Sequence, residues 1–573
     1  MFLYLKAIYH ACLPIRHISI FLFLRAGLGL VSIPHSPSDV ILRSELFTFD
    51  KAKKVIQMLT RLRVNGFKNL VGVDIHFGPF TCIAGVNGVG KSNLFDAIRF
   101  LSDLTHMSLI EAAKSVRSEG QKNSDIRDLF HKLGDAHEPQ MQFIADMIIP
   151  LKGVDDLGQE AEASITTVRY ELVLNYRKGD SFATQGLLEI SKEELTAIPV
   201  LEARKIMRFT TLESLPHADL PTIRHQQRQW RDSVISGRRT VPFISTEEID
   251  NTRTINFHQD GGSSGKPFKL KATQLQRTVL STANALEKPT ALIVKNEMRS
   301  WQMLQLEPGA LRQSDEFNAV TNARLGADGS HLPATLYRLK LENEQTRLIP
   351  DVYQTLANKL SELVERVAGV DIERDDRREM LTLMLRGSDG TVFPARSLSD
   401  GTLRFLGLAV LQLDQKSGGV ICLEEPENGI HPEKISAILD LLQNICTDIT
   451  QPIGEDNPLR QVIINTHSPS VVQLVPEDSL LLAESVGDVT ANGVRFRRVV
   501  YSPLSNTWRT KADSDSYKPV SLGRLLGYLL PTKGSEDTED TATLPEVRTS
   551  KRVKDRLDVQ AVQRKSSQLP IPF

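Results

Sequence analysis

The stretch FTCIAGVNGVGKS, residues 80–92, decides the fold. Phe80 to Ala84 is a short apolar, β-rich run. Gly85-Val86-Asn87-Gly88-Val89-Gly90-Lys91-Ser92 follows and matches GxxxxGK[ST]. A helical pattern then runs from Lys91 to about Leu104. Strand, glycine-rich turn and helix start are the context this motif needs. The glycines let backbone N–H groups turn inward around phosphates, and the helix start adds its partial positive charge. Lys91 is placed to reach β- and γ-phosphates, and the Ser92 hydroxyl to ligate Mg²⁺. The nucleotide-contacting set expected from this loop is Gly85, Asn87, Gly88, Gly90, Lys91, Ser92 and Asn93.

A phosphate-loop hydrolase also needs a metal-side carboxylate and a carboxylate for the attacking water. Val420-Ile421-Cys422-Leu423-Glu424-Glu425-Pro426 is an apolar strand that ends in such a pair. Glu424 is read as the Mg²⁺-side residue and Glu425 as the base. Two further polar ends follow the same logic. Leu398-Ser399-Asp400-Gly401-Thr402 opens a helical run that ends near Leu413, and Ser399 and Gly401 at a helix start form an anion site. Taken alone, that serine reads first as an ordinary N-cap. Val462 to Asn465 is a second buried strand; it ends in Thr466-His467-Ser468-Pro469, with His467 as a γ-phosphate donor.

Outward from these motifs the chain divides into five stretches. Residues 1–57 are an extension. The run from Ile18 to Ile33 is shorter than a membrane span and interrupted by Arg25. A start at Met58, a membrane anchor and an ordered accessory segment all fit it. Residues 58–199 form a first lobe, with strands from Leu59, a turn at Asn65-Gly66, and strands over Met141–Pro150 and Ser164–Tyr176. Residues 200–345 read as a polar insert or lid, with a flexible GGSSG at 261–265. Residues 346–502 form a second lobe, closed by a hairpin over Leu480–Val500. Residues 503–573 are an extension whose tail from about 531 is core-poor and reads as disordered.

The 573 residues are 40% hydrophobic and 24% charged, and the formal net charge is -1. That is the composition of a soluble globular protein with no global pull toward nucleic acid or membrane. The four cysteines form no CxxC pair, and Cys82 and Cys422 sit in apolar runs as core residues. Cytoplasmic residence is expected.

GVNGVGKS, LSDGT, CLEEPENGIHP and NTHSP stand in that order. The order resembles the ABC-type ATPases of the RecF/SMC/OLD branch, above all the stand-alone "AAA family" ATPases with a RecF-like domain. LGADGSHLPATLYRL at 325–339 is similar to that group as well. The resemblance implies an α/β P-loop NTPase of ABC/RecF type, a split ATPase domain with a mixed sheet and an α/β insert. It implies ATP and Mg²⁺, and a head-to-head homodimer in which Lys91, Ser92, Glu424 and His467 of one subunit face Ser399 and Gly401 of the other. Asn428 would lie near the dimer contact. Glu424 stands where aspartate is more usual, and Asp400 where transporters carry a second glycine. The glutamine loop of the family has no clear counterpart; Gln140 and Gln142 are nominal candidates.

Four roles compete. A RecF-like action on DNA draws on the insert, where eight basic residues face three acidic ones between Arg204 and Thr240, with Trp230 among them. Basic residues beside an aromatic suit phosphates and a base, and a solvated polar helix has the same composition. An OLD-type nuclease would need Glu484 with Asp513 and Asp515, but no apolar strand precedes Asp513. An ATPase switch on an effector in phage defence is neither supported nor excluded. The motor of a membrane transporter is disfavoured by the long insert, and no membrane partner is expected.

Overall fold

The computed structural model describes residues 58–521, 525 and 552–555, apart from 117–124, 179–185, 211–219, 250–251, 261–264, 348, 365–366, 415, 455–456, 491–492 and 513–516. The extension over 1–57, the residues GGSS at 261–264 and the Asp513/Asp515 pair lie outside the described residues.

Two sheets organise the chain. The first has eight antiparallel strands. Chain order gives β1 (Met58–Asn65), β2 (Val73–His76), then β3 (Phe80–Ala84), which belongs to the second sheet. Helix α1 (Lys91–Asp103) follows, then β4 (Gln140–Ile148), β5 (Thr167–Arg177) and β6 (Leu187–Ala197). Beyond helix α2 (Leu220–Val234), β7 (Ile244–Ile249), β8 (Thr252–Phe257) and β9 (Phe268–Lys271) extend the same sheet, in the order β9-β8-β7-β6-β5-β4-β1-β2. Residues 200–345 are therefore shared out: 244–271 edge this sheet, and β10 (Gln302–Leu304) joins the second.

The second sheet holds the chemistry. After helix α3 (Pro308–Leu311), helices α4 (Leu332–Thr346) and α5 (Val352–Ser361) lead to α6 (Asp400–Leu413). Strand β11 (Gly419–Glu424), helix α7 (Ile435–Ile445), strand β12 (Arg460–Thr466) and helix α8 (Pro469–Leu474) come next. The hairpin β13 (Leu480–Val489) and β14 (Arg495–Pro503) finishes the sheet, in the order β10-β11-β12-β3-β13-β14. Neighbours from β10 to β13 run parallel, and only β14 is antiparallel. β11 and β12 read as unbroken apolar runs because both of their faces are covered.

The two-residue period divides those strands between two cores. Val420, Cys422, Ile463 and Ile83 face one core, with the apolar stripe of α1 and the inner face of the antiparallel sheet. Ile421, Leu423, Val462 and Ile464 face the other, under α4, α5, α6 and α7. Phe67, Phe100 and Phe143 lock α1 to the antiparallel sheet, with ring centroids 5.3–5.9 Å apart. Cys82 and Cys422 are buried thiols in these cores. Of the tail from 531, only 552–555 are described; there Val553 is fully buried, and its N–H donates to the Val475 carbonyl at 3.2 Å.

Candidate functional site

Parallel pairing brings distant pieces of sequence to one sheet edge. Ala84 lies beside Thr466, and Asn465 beside Glu424. The phosphate loop, the acidic strand end and the histidine turn thus leave the sheet together, with β12 between the other two. Ligands of open α/β sheets bind outside such carboxyl ends.

The loop is held by its neighbours. Gly85 donates to the Thr466 carbonyl at 3.2 Å, and a Cβ at Gly85 would come within 2.7 Å of the Ala483 carbonyl. Gly90, at φ 106°, takes the left-handed conformation glycine tolerates, and a Cβ there would strike the Asn69 side chain. Asn69 is a brace that no motif announced. Its amide donates to the Val89 carbonyl at 2.9 Å, and its oxygen accepts from Asn93 at 2.8 Å. Asn87 and Gly88 are exposed, as is Ser92 in the first turn of α1. No side chain caps that helix, so its first N–H groups have no partner from a cap.

Lys91 is 6% exposed, and its Nζ donates to the carbonyls of Gly85 at 2.7 Å and Val86 at 3.1 Å. Burial lowers its pKa, opposed by the charges of Glu425, Glu424 and Glu427. Glu424 accepts from the Asn465 amide at 3.1 Å. Glu425 adopts φ 45°, a left-handed backbone uncommon for a non-glycine residue, and such strain clusters where function fixes it. Its carboxylate accepts from Asn428 Nδ2 at 2.8 Å and pairs with His467 Nδ1 at 2.6 Å. Burial pushes the Glu425 carboxyl up, but the Asn428 and His467 hydrogen bonds and the charges of His467 and Lys91 outweigh it. The net pKa lies below the usual carboxylate range. With Nδ1 given to Glu425, His467 donates to a phosphate only through Nε2, and so only as the doubly protonated ring.

Glu427 is a third carboxylate that sequence reading passed over. It is 8% exposed, accepts from Thr466 Oγ1, and has one buried oxygen with no partner. Burial raises its pKa. A second missed residue is Gln305. Leu304 pairs with Leu423, so Gln305 leaves the sheet beside Glu424, exposed. Gln140 and Gln142 instead sit on β4 of the antiparallel sheet, and Gln142 donates to Glu171 at 2.8 Å.

Ser399 and Gly401 stand apart from this cluster. Ser399 is the N-cap of α6: it accepts from the Thr402 N–H at 3.3 Å and pairs with the Thr402 hydroxyl at 2.8 Å. Gly401 packs so tightly that a Cβ would lie 2.2 Å from the Gly429 carbonyl. Among the described residues, no hydrogen bond or ion pair joins either one to the loop over 85–93.

The suggested aromatic partner for a nucleic-acid base is overturned. Trp230 is fully buried, packed edge-on against Phe209 at 6.0 Å. Of its basic neighbours, Arg204 pairs with Asp232, and Arg239 pairs with Asp260 and stacks on Phe243. Lys205, Arg228 and Arg238 remain exposed. Glu484 lies within β13, paired opposite Val500 in the closing hairpin. Among the described residues no helix is long and apolar enough to cross a membrane.

Residues 61–233 match a family model described as an AAA domain. Residues 306–473 match one described as "AAA domain, putative AbiEii toxin, Type IV TA system". A 65-residue stretch is 34% identical to the DNA replication and repair protein RecF of Phocaeicola vulgatus; it covers 11% of this chain and spans 18% of that protein's length. Among solved structures, an Smc head bound to the C-winged helix domain of ScpA is similar at 14% identity and TM-score 0.39, covering 78% of this chain and 98% of that one. The SMC head domain from Thermotoga maritima is similar at 14% identity and TM-score 0.31, with 78% and 99% covered.

Proposed function

We propose that this chain, which has the P-loop fold of the RecF/SMC-type ABC ATPases, binds and hydrolyses ATP and dimerises head to head around it. The observation that carries the reading is Glu425. A carboxylate held by Asn428 and His467, in a left-handed backbone at a strand end, faces the buried Lys91 across β12.

The residues suit the substrate. Lys91, now satisfied by its own loop carbonyls, exchanges them for β- and γ-phosphate oxygens, while the uncapped start of α1 and the loop N–H groups take the remaining charge. The Ser92 hydroxyl and the Glu424 carboxylate would hold Mg²⁺, which would supply positive charge against the phosphates. Glu425, kept ionised by its partners, orients the attacking water and accepts its proton. His467 holds Glu425 through Nδ1 and donates to the γ-phosphate through Nε2. Gln305 reports the phosphate side to the segment that follows it. Ser399 and Gly401 of a second copy close the site, so the γ-phosphate bridges two subunits and its loss releases them.

For the client we favour DNA or a DNA-linked protein, on the RecF similarity and the exposed Lys205, Arg228 and Arg238. The second reading is an ATPase switch on an effector protein, supported by the toxin description of the model over 306–473. Steady-state ATPase with and without duplex DNA at low salt separates them. A severalfold, salt-sensitive stimulation supports the DNA client, and a DNA-indifferent rate moves the assignment to the switch. The Glu425→Gln protein is expected to bind ATP, lose turnover by roughly 100-fold or more, and accumulate as a dimer. If ATP leaves it monomeric by light scattering, the sandwich is wrong.

A further inference from the structure

The segment from Gln305 to Arg312 connects the two halves of the site within one chain. It leaves the sheet beside Glu424 and is braced by N–H bonds from Gln305 to the Ala327 carbonyl at 2.8 Å and from Glu307 to the Asp328 carbonyl at 2.7 Å. At its far end, one guanidinium holds the approach to α6. Arg312 Nη2 donates to Asp400 Oδ1 at 2.6 Å and to the Leu398 carbonyl at 3.1 Å, and its Nε donates to the Arg396 carbonyl at 3.3 Å. The bonded groups flank Ser399 on both sides. A second strut returns from α6: Arg404 Nε donates to the Leu306 carbonyl at 3.1 Å, and Nη1 to the Asn428 carbonyl at 2.7 Å.

Asp400 is the difficulty that Arg312 resolves. A carboxylate in the first turn suits the helix dipole but repels an incoming phosphate. A planar guanidinium cancels that charge and fixes the loop angle through its fork of donors. The side chains are 31% and 59% exposed, and an ion pair so open to solvent adds little to stability.

We propose that Arg312 is a positioning residue that neutralises Asp400 and sets Ser399 and Gly401, so that the start of α6 can receive the phosphate of a nucleotide held by a second copy. The inference rests on the ATP-sandwich reading above.

The test compares Arg312→Gln with the wild-type full chain, and with Arg312→Gln/Asp400→Asn. The single variant should bind a fluorescent ATP analogue within about twofold of wild type, because the phosphate loop is untouched. Its kcat should fall roughly 10-fold, with a matching loss of ATP-dependent dimer. The defect should shrink as salt rises, since exposed charges are screened beyond about 10 Å at 0.1 M. Removing the bare carboxylate in the double variant should recover several-fold of the loss. Turnover within twofold of wild type overturns the proposal. So does a salt-independent defect that Asp400→Asn does not relieve and that comes with a lower Tm, because that describes a fold role. A wild-type protein that neither binds ATP nor dimerises would instead remove the underlying reading, and is visible before any variant is made.

Discussion

Two helix starts point at the proposed nucleotide, and they are built in opposite ways. α1 begins at Gly90, left-handed and without a side-chain cap. α6 begins at Ser399, whose hydroxyl already accepts from Thr402. Around α1 stand Lys91 of the helix itself and Glu424, Glu425 and His467 from the ends of the two neighbouring strands β11 and β12. Around α6 the protein supplies a glycine pressed on a carbonyl and a carboxylate tied to Arg312. In the first half a buried cation rests on two neutral carbonyls of its own loop, whereas in the second the carboxylate already has a guanidinium partner. Such a difference suits a site where binding occurs in one subunit and closure by the other is conditional.

The comparison breaks most sharply at Lys91. Lys91→Ala removes the buried cation from the first half, and turnover should fall roughly 100- to 1,000-fold, with nucleotide affinity lost as well. Unchanged ATPase in that variant would mean the loop is not the site. Gly401→Ala probes the other half. Its new methyl would meet the Gly429 backbone at 2.2 Å, so the first turn of α6 must shift. A displacement near 1 Å at a catalytic surface costs up to about 100-fold in rate. We expect a roughly 10- to 100-fold loss of kcat and of ATP-dependent dimer, with monomer affinity for nucleotide nearly unchanged. Equal losses of affinity in both variants, measured by titration, would erase the distinction between the halves.

What the sequence disclosed follows from range. The phosphate loop, the acidic strand end and Asn465-Thr466-His467 are local patterns of a strand and its exit, and each stands where its motif was read. Gln305 was hidden because β10 is three residues long, too short for any periodicity, and only its pairing with β11 shows that it ends beside Glu424. Asn69 and Arg312 act across gaps of 20 and 88 residues, with no spacing rule to mark them. Trp230 misled for the reverse reason. Its helix is polar, with basic residues on either side of the ring, but Phe209, from an earlier turn of chain, covers it. Composition records what a segment contains and not what packs on it.

The smallest expected effect concerns the proton. The Asn428 side chain is the foremost of the contacts that lower the Glu425 pKa against the upward push of burial. As a base, Glu425 works ionised, so its contribution is present at neutral pH and is lost as pH falls through its own pKa. Because that pKa is depressed, the wild-type acid limb of kcat/KM should lie below the usual carboxylate range wherever Glu425 sets it. Asn428→Ala deletes the donor and keeps the backbone carbonyl that Arg404 uses. The Glu425 pKa should rise, moving the acid limb to higher pH while the rate well above neutrality changes by no more than severalfold. A pH–rate profile of the two proteins decides it. An acid limb that stays in place would show that Asn428 serves the turn alone and that His467 by itself keeps Glu425 charged.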